Sequence, residues 1–449
     1  MNRAPLGWLG IVRLGLVQAA LGSIVVLTTS TLNRVMVVEL ALPALLPGAL
    51  VALHYLVQVL RPRLGHGSDM GGRRTPWIIG GMGVLALGGA LAAVATAWMG
   101  SSLAWGVALA IVAFMLIGIG VGAAGTSLLV LLAKRVAPAR CGAAATIVWL
   151  MMIVGFVITA TASGQLLDPY SPERLVTVTA GVSLLAFLVA CLALRNVEGA
   201  AQAGPGSEAA PAKVPFRTAL AEAWGDPQAR RFTIFVFISM LAYSAQDLIL
   251  EPFAGTVFGF TPGESTKLSG LQHGGVLAGM LLVGLVTTLA KAGSAASLRH
   301  WTLGGCVASA VALAALAAGG LAGPGWPLRP AVFLLGVANG AFSIAAIGSM
   351  MRLAGAGGKA REGVRMGLWG AAQAVAFGLG GLVGTGASDL ARYLVGTPGT
   401  AYALVFAAEA LFFLYAARLS WGVGMVEATI ARPKPVASGA PRTAGMEGA

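Results

Sequence analysis

An all-helical membrane protein of twelve spans, built as two six-helix halves, is the fold class this sequence predicts. Three observations carry it. The chain is 57% hydrophobic and 10% charged, with a mean hydropathy of +0.85, outside the range of soluble domains. Apolar runs of about 18–25 residues recur along it, each able to cross a hydrocarbon core roughly 30 Å thick. The runs are continuously apolar and lack the in/out alternation of barrel strands, so helices follow.

The first run, about 11–31, has no small-residue cleavage site and continues into Thr31-Leu32-Asn33-Arg34. It reads as a retained span and not a removed signal peptide. The second, about 44–61, follows Pro43 and carries His54. Runs at about 77–98, 103–131, 141–165 and 174–195 complete the first six. A long polar segment, about 196–230, holds Gly204-Pro205-Gly206-Ser207 and Ala210-Pro211-Ala212-Lys213, a linker composition. Within it, Phe216 to Trp224 reads as a short amphipathic helix at the membrane surface. Six further runs follow at about 231–256, 266–290, 298–321, 329–354, 363–388 and 399–421. The expected organisation is a bundle over 1–195, a cytoplasmic linker over 196–230, a bundle over 231–421 and a disordered cytoplasmic tail over 422–449, rich in Pro, Ala, Gly and Arg.

Charge orients the bundle. With both termini cytoplasmic, Arg34, Arg174, Lys267, Arg329 and Arg392 lie on the periplasmic side, leaving about 24 of the 29 Lys and Arg on the cytoplasmic side. The net charge of +13 thus sets topology, and no nucleic-acid partner is needed to explain it. Cys141, Cys191 and Cys306 are scattered within or beside spans and read as buried small apolar residues.

Two features hint at an internal repeat. The first span ends in Asn33-Arg34-Val35-Met36-Val37-Val38-Glu39 and the seventh in Asp247-Leu248-Ile249-Leu250-Glu251-Pro252. Each is followed by a Pro/Gly link and a span with one histidine, His54 or His273. Glycine clusters within spans, with Gly118, Gly120, Gly122 and Gly125 in the fourth and Gly378, Gly380, Gly381, Gly384 and Gly386 in the eleventh. Close helix packing is the simpler reading; room for a flat ligand, or rocking, is the other.

Ionisable residues inside spans are default site candidates, because leaving them unpaired in hydrocarbon is costly. Asp247 and Glu251 are four apart and share one helix face, about 24–30 Å from the cytoplasmic start of their span. Arg34 and Glu39 stand at the corresponding end of the first span, so Arg34 pairing with Asp247 or Glu251 would make a periplasmic latch. Interfacial carboxylates facing water are the equally weighted alternative. Glu409 is the main acid at mid-span, and Arg13 reads as a snorkelling anchor. His54, with Gln58 one turn on, and His273, beside Gln272, are candidate ligands for the Mg of a chlorin, weighed against hydrogen-bonded packing histidines. His66 reads as a solvated loop residue and His300, beside Trp301, as interfacial. No Walker loop, nucleophile elbow, His-Glu-x-x-His or Cys/His metal array is present, so neither an enzyme nor a catalytic metal is expected.

Between the second and third spans lies Gly65-His66-Gly67-Ser68-Asp69-Met70-Gly71-Gly72-Arg73-Arg74. Its Gly65, Asp69, Gly72, Arg73 and Arg74 spacing resembles the signature cytoplasmic loop of major facilitator transporters. Met70 stands where a typical facilitator loop is basic, which weakens the usual gating network. Further segments resemble the PucC family, the bacteriochlorophyll-delivery branch of the facilitators. They are Leu32 to Met36 with Glu39-Leu40, Pro43 to His54, Arg61 to Asp69, Gly72 to Trp77, and Ala245-Gln246-Asp247-Leu248-Ile249-Leu250-Glu251-Pro252-Phe253-Ala254-Gly255. The resemblance covers about 7–421 apart from the linker.

That resemblance implies an assembly factor for purple-bacterial light-harvesting complexes, with bacteriochlorophyll as cargo. It also implies an inner, photosynthetic membrane, with antenna polypeptides as partners and possible contact with the reaction-centre core. A small-solute permease, proton-coupled through Asp247, Glu251 or Glu409, and a pigment-free scaffold for nascent antenna helices stay open beside it.

Overall fold

The computed structural model describes residues 6–58, 73–136, 141–198, 224–289, 295–356 and 362–421. The loop residues Gly65, His66, Asp69 and Gly72, residues 199–223 of the linker, and the 422–449 tail lie outside them. Among the described residues, twelve helices form the bundle. They are α1 (Trp8–Glu39), α2 (Leu45–Val57), α3 (Thr75–Met99), α4 (Leu103–Arg135), α5 (Cys141–Leu166) and α6 (Pro172–Leu194). Then come α7 (Pro227–Phe258), α8 (Pro262–Leu289), α9 (Ala295–Ala322), α10 (Leu328–Ala356), α11 (Glu362–Val395) and α12 (Pro398–Trp421). Eleven are long and apolar enough to cross a membrane, and α2 is a 13-residue apolar helix within the described residues.

Helix starts follow local chemistry. Ser171 caps α6 by accepting the N–H of Arg174 at 3.1 Å, with Pro172 at the first position, where a missing N–H costs nothing. Asp226 caps α7 by accepting the N–H of Gln228 at 2.9 Å, again ahead of a proline. Gly259 ends α7 in the left-handed region (φ 70°), which a residue without Cβ adopts freely.

Packing repeats with an offset of six helices. α1 lies on α5 as α7 lies on α11; α3 packs on α4 and α6 as α9 packs on α10 and α12; α2 packs on α4 as α8 packs on α10. The two sets then meet through α2 against α11 and α5 against α8. One apolar core draws on residues from Ile11 to Val197 together with Leu248, and a second on residues from Phe232 to Ala417.

Small residues set the closest approaches. On α8 and α10, Gly275 faces the carbonyl of Phe333, Gly279 that of Val337, and Gly340 that of Val276, each too close to admit a Cβ. Dispersion between backbones in contact is what holds helices together in lipid. Gly118 on α4 stands likewise against the carbonyl of His54 on α2.

The first helix ends at Glu39, where the sequence places it, but its winding is not that of a regular α-helix. Its apolar run stops near 31, and the helix continues to Glu39 through two π-helical segments, Leu27–Thr31 and Val35–Glu39. Polar residues that look like the end of a span find partners on other helices, so the backbone need not leave the bundle.

Candidate functional site

The π-helical part of α1 is where the two sets of helices are tied by polar contacts. Ser30 Oγ lies 3.2 Å from Ser269 Oγ, and Thr31 Oγ1 lies 3.0 Å from Thr266 Oγ1, both on α8. Asn33 donates through Nδ2 to the carbonyl of Leu248 on α7. π-turns widen a helix locally and recur at functional sites, and here they place consecutive polar residues toward α7 and α8.

Glu251 on α7 sits at this junction, 1% exposed. Its carboxylate faces the hydroxyls of Ser30, Ser265 and Ser269, yet neither oxygen completes a hydrogen bond among the described residues. The sequence expectation that Arg34 pairs with Asp247 or Glu251 is corrected. Arg34 forms its ion pair with Glu39, five residues on, and donates at 2.5 Å to the carbonyl of Phe260 beyond α7. The wide Val35–Glu39 turn brings Glu39 back under Arg34, and a local partner costs less chain ordering than one on another helix. Asp247 instead accepts from Gln272 Nε2 at 3.1 Å, with Glu409 of α12 close enough to feel its charge.

Outside this junction lies a polar pocket of about 780 Å³ lined by Arg34, Glu39, Asp168, Tyr170, Glu264 and Lys267 among others. Lys267 meets Asp168 at 3.5 Å, and Thr261 donates to Asp168 at 2.8 Å. Burial pushes the Tyr170 hydroxyl pKa up, with Glu39 adding to the rise and Arg34 opposing it.

Two carboxylates act as caps across long sequence distances. Glu198, just past α6, accepts the N–H groups of Arg74 at 2.5 Å and Thr75 at 2.6 Å, closing the start of α3. Arg135 of α4 donates to the Glu198 carbonyl at 2.9 Å. Burial opposes ionisation of Glu198 most, but hydrogen bonds from Thr75 and Arg74 and the charge of Arg73 together hold its pKa below the usual value. At the other end, Asp389 of α11 accepts the N–H groups of Ala44 at 3.0 Å and Leu45 at 2.7 Å, capping α2. Arg13 donates to the carbonyls of Ala193 and Arg195, so the residue expected as a snorkelling anchor closes the end of α6.

On the outer face of the bundle, α8, α9 and α10 enclose an apolar groove of about 940 Å³. Gly304, Ala308, Ala315 and Ala338 give it a flat wall, and His300 and Trp301 stand toward the start of α9. A Cβ at Gly304 would meet nothing within 4 Å. Val311 (64% exposed) and Leu334 (60%) line the groove, so it opens outward to where lipid lies.

A profile described as PUCC protein matches residues 31–426. The chain belongs to the PucC family. A Rhodobacter capsulatus protein named "Bacteriochlorophyll synthase 44.5 kDa chain" is 56% identical over 420 residues, spanning 93% of this chain and 96% of that one. Protein PucC of the same organism is 31% identical, with 90% of each chain covered. Among solved structures, a D-xylose-proton symporter superposes with a TM-score of 0.68 at 14% identity, covering 92% of this chain and 97% of that one. An inward-facing bacterial homolog of the lysosomal transporter Spinster reaches 0.64 at 16% identity, covering 92% and 95%. At such identities the likeness establishes the major facilitator fold, as the sequence predicted.

In this PucC-family chain the residues singled out from sequence do not gather in one place. Arg34, Glu39 and Glu251 meet at the α1–α7–α8 junction, with Asp247 one turn away. His54 is 3% exposed, bonded through Nε2 to Gln58 at 2.7 Å and set edge-on to Tyr55. His273 is 7% exposed, with Nδ1 2.9 Å from the Ser269 carbonyl and its ring edge-on to Phe156. Neither histidine lines the groove; His300 does. Arg73 is exposed and Arg74 is buried at the start of α3. Sequence reasoning missed Glu198 and Asp389. An acid three residues after Arg195 at the end of α6 was the one signal available for Glu198.

Proposed function

We propose that this PucC-family protein is an assembly factor for purple-bacterial light-harvesting complexes, one that hands bacteriochlorophyll to antenna polypeptides within the membrane. The groove between α8, α9 and α10 carries this reading. It is apolar, floored by small residues and open sideways, so a flat macrocycle enters from lipid without crossing water. From His300 to Ala315 it runs about 22 Å along α9. That length suits a ring near His300 with a hydrocarbon tail toward mid-membrane. Apolar contact contributes about 25 cal/mol per Å² removed from solvent. Lipid tails compete for the same wall, so shape and an imidazole ligand from His300 supply the selectivity. The pigment is cargo, and the protein orients it without bond chemistry, although one relative's name includes the word synthase.

The same reading puts the chain in the inner, intracytoplasmic membrane with both termini cytoplasmic, in contact with antenna polypeptides and, as a second partner, the reaction-centre core. Purification from pigmented membranes tests it. The native protein is expected to carry bacteriochlorophyll absorbance, and Gly304→Leu, whose Cβ enters open space in the groove wall, to lose it while staying monodisperse. Pigment-free native protein from cells holding unbound bacteriochlorophyll would falsify the proposal.

A second reading, a small-solute carrier, draws on the half-buried Asp247, the buried Glu409 and the fold. It predicts a deletion strain with an uptake or efflux defect unrelated to pigment. The pigment-free scaffold predicts normal antenna assembly in Gly304→Leu cells.

A further inference from the structure

We infer that Glu251, with the hydroxyls of Ser30, Ser265 and Ser269, forms a binding site for a small monovalent cation between α1, α7 and α8. Charge and donor geometry point to this site whatever the outer groove carries. Around Glu251, α1 presents Arg34 and Glu39, α8 presents His273, and α7 itself presents Asp247 one turn away. Farther off, on α12, Glu409 faces Asp247. Arg34 is already engaged by Glu39 and by the Phe260 carbonyl. Arg34, Glu39 and Glu251 together therefore leave one negative charge uncompensated, on a residue 1% exposed. An ionised carboxylate is not left alone away from water; it is paired or neutralised.

The donors present fit a hard cation. Three hydroxyl oxygens from two helices surround a carboxylate whose two oxygens hold no hydrogen bond among the described residues. Oxygen ligands of this kind suit an alkali ion, and a proton shared with the same oxygens answers the same deficit. Sodium and the proton are thus two sources of one chemistry. Because Ser30 belongs to α1 and Ser265 and Ser269 to α8, the occupant holds the two sets of helices together at this end. His273, bonded to the Ser269 carbonyl, lies directly behind the site.

The test uses the full chain in lipid nanodiscs. One arm follows the thermal midpoint against NaCl, with choline chloride holding ionic strength constant, at fixed pH. The other follows it against pH without sodium, alongside infrared difference spectra of the protonated carboxyl C=O stretch. A saturable rise with sodium, absent in Glu251→Gln and weakened in Ser269→Ala, assigns the site to sodium. A protonated-carboxyl band present in the native chain and missing from Glu251→Gln assigns it to the proton. Should Glu251→Gln fail to fold, Ser269→Ala and Ser30→Ala carry the comparison through a weaker sodium response or a shifted band. Native chain and variants that respond alike to sodium, with no carboxyl band lost, overturn the inference.

Discussion

Glu198 accepts the backbone N–H of Thr75 at 2.6 Å across 123 residues of sequence, so the end of α6 seals the start of α3. Removing a side-chain cap costs about 1 kcal/mol. Glu198→Ala is therefore expected to lower the thermal midpoint of the detergent-purified protein measurably. Its pKa is lowered in the folded state, so its contribution is present above the ordinary glutamate value, near 4.3, and is lost as pH falls through the lower native one. A midpoint difference between the native chain and Glu198→Gln that stays constant from about pH 7 down to pH 2 would remove the charge from this account.

Asp389 does the corresponding work at the other end, joining α11 to the first turn of α2. Asp389→Ala is predicted to destabilise by about 1–2 kcal/mol, and Asp389→Asn by less, because an amide oxygen still accepts one of the two N–H groups. Chemical denaturation of the purified variants measures both. Equal losses in Ala and Asn variants would show that the second hydrogen bond contributes nothing.

The seam of α8 on α10 admits no side chain at Gly279 or Gly340. Gly279→Val or Gly340→Val should cost at least about 3 kcal/mol, an overpacking penalty at a backbone contact, and reduce yield sharply. Gly304→Leu, a larger change on α9 where a Cβ meets nothing within 4 Å, should leave yield intact. Fluorescence-detected size-exclusion profiles of the variants compare them directly.

The histidines separate by place. His54→Asn and His273→Asn alter packing between helices and should lower stability while leaving any bound pigment in the same ratio to protein. His300→Leu should reduce that ratio several-fold. Pigment lost from His54→Asn or His273→Asn at native stability would move the ligand off the groove.

Span number and order were legible because a lipid core demands long apolar runs, and those runs are local. The π-helical winding near the end of α1 and the partners of its polar residues were not. Asn33 and Arg34 look like the point where a helix meets water, and only the Leu248 carbonyl, Glu39 and the Phe260 carbonyl let them stay inside. The caps were hidden for the same reason: Glu198 and Asp389 act 123 and 344 residues from the N–H groups they close. The sequence marked Asp247, Glu251, His54 and His273 as polar groups within or at the end of spans, but not how deeply each is buried or which helix it faces. The groove was invisible, since a glycine jammed against a carbonyl, such as Gly279, and a glycine over open space, such as Gly304, read alike in a sequence.

The widened turns of α1 carry a geometric debt of their own. Each residue in an ordinary helix advances the azimuth by about 100°. A helix that takes up one surplus residue between Leu27 and Thr31 therefore keeps Asn33 aimed at α7 only while that swelling persists. Were the swelling to migrate toward the amino end, the intervening hydroxyls would swivel by more than a quarter revolution and let go of α8 without the rod bending or shortening. A travelling defect of this kind would unfasten the junction by rotation alone.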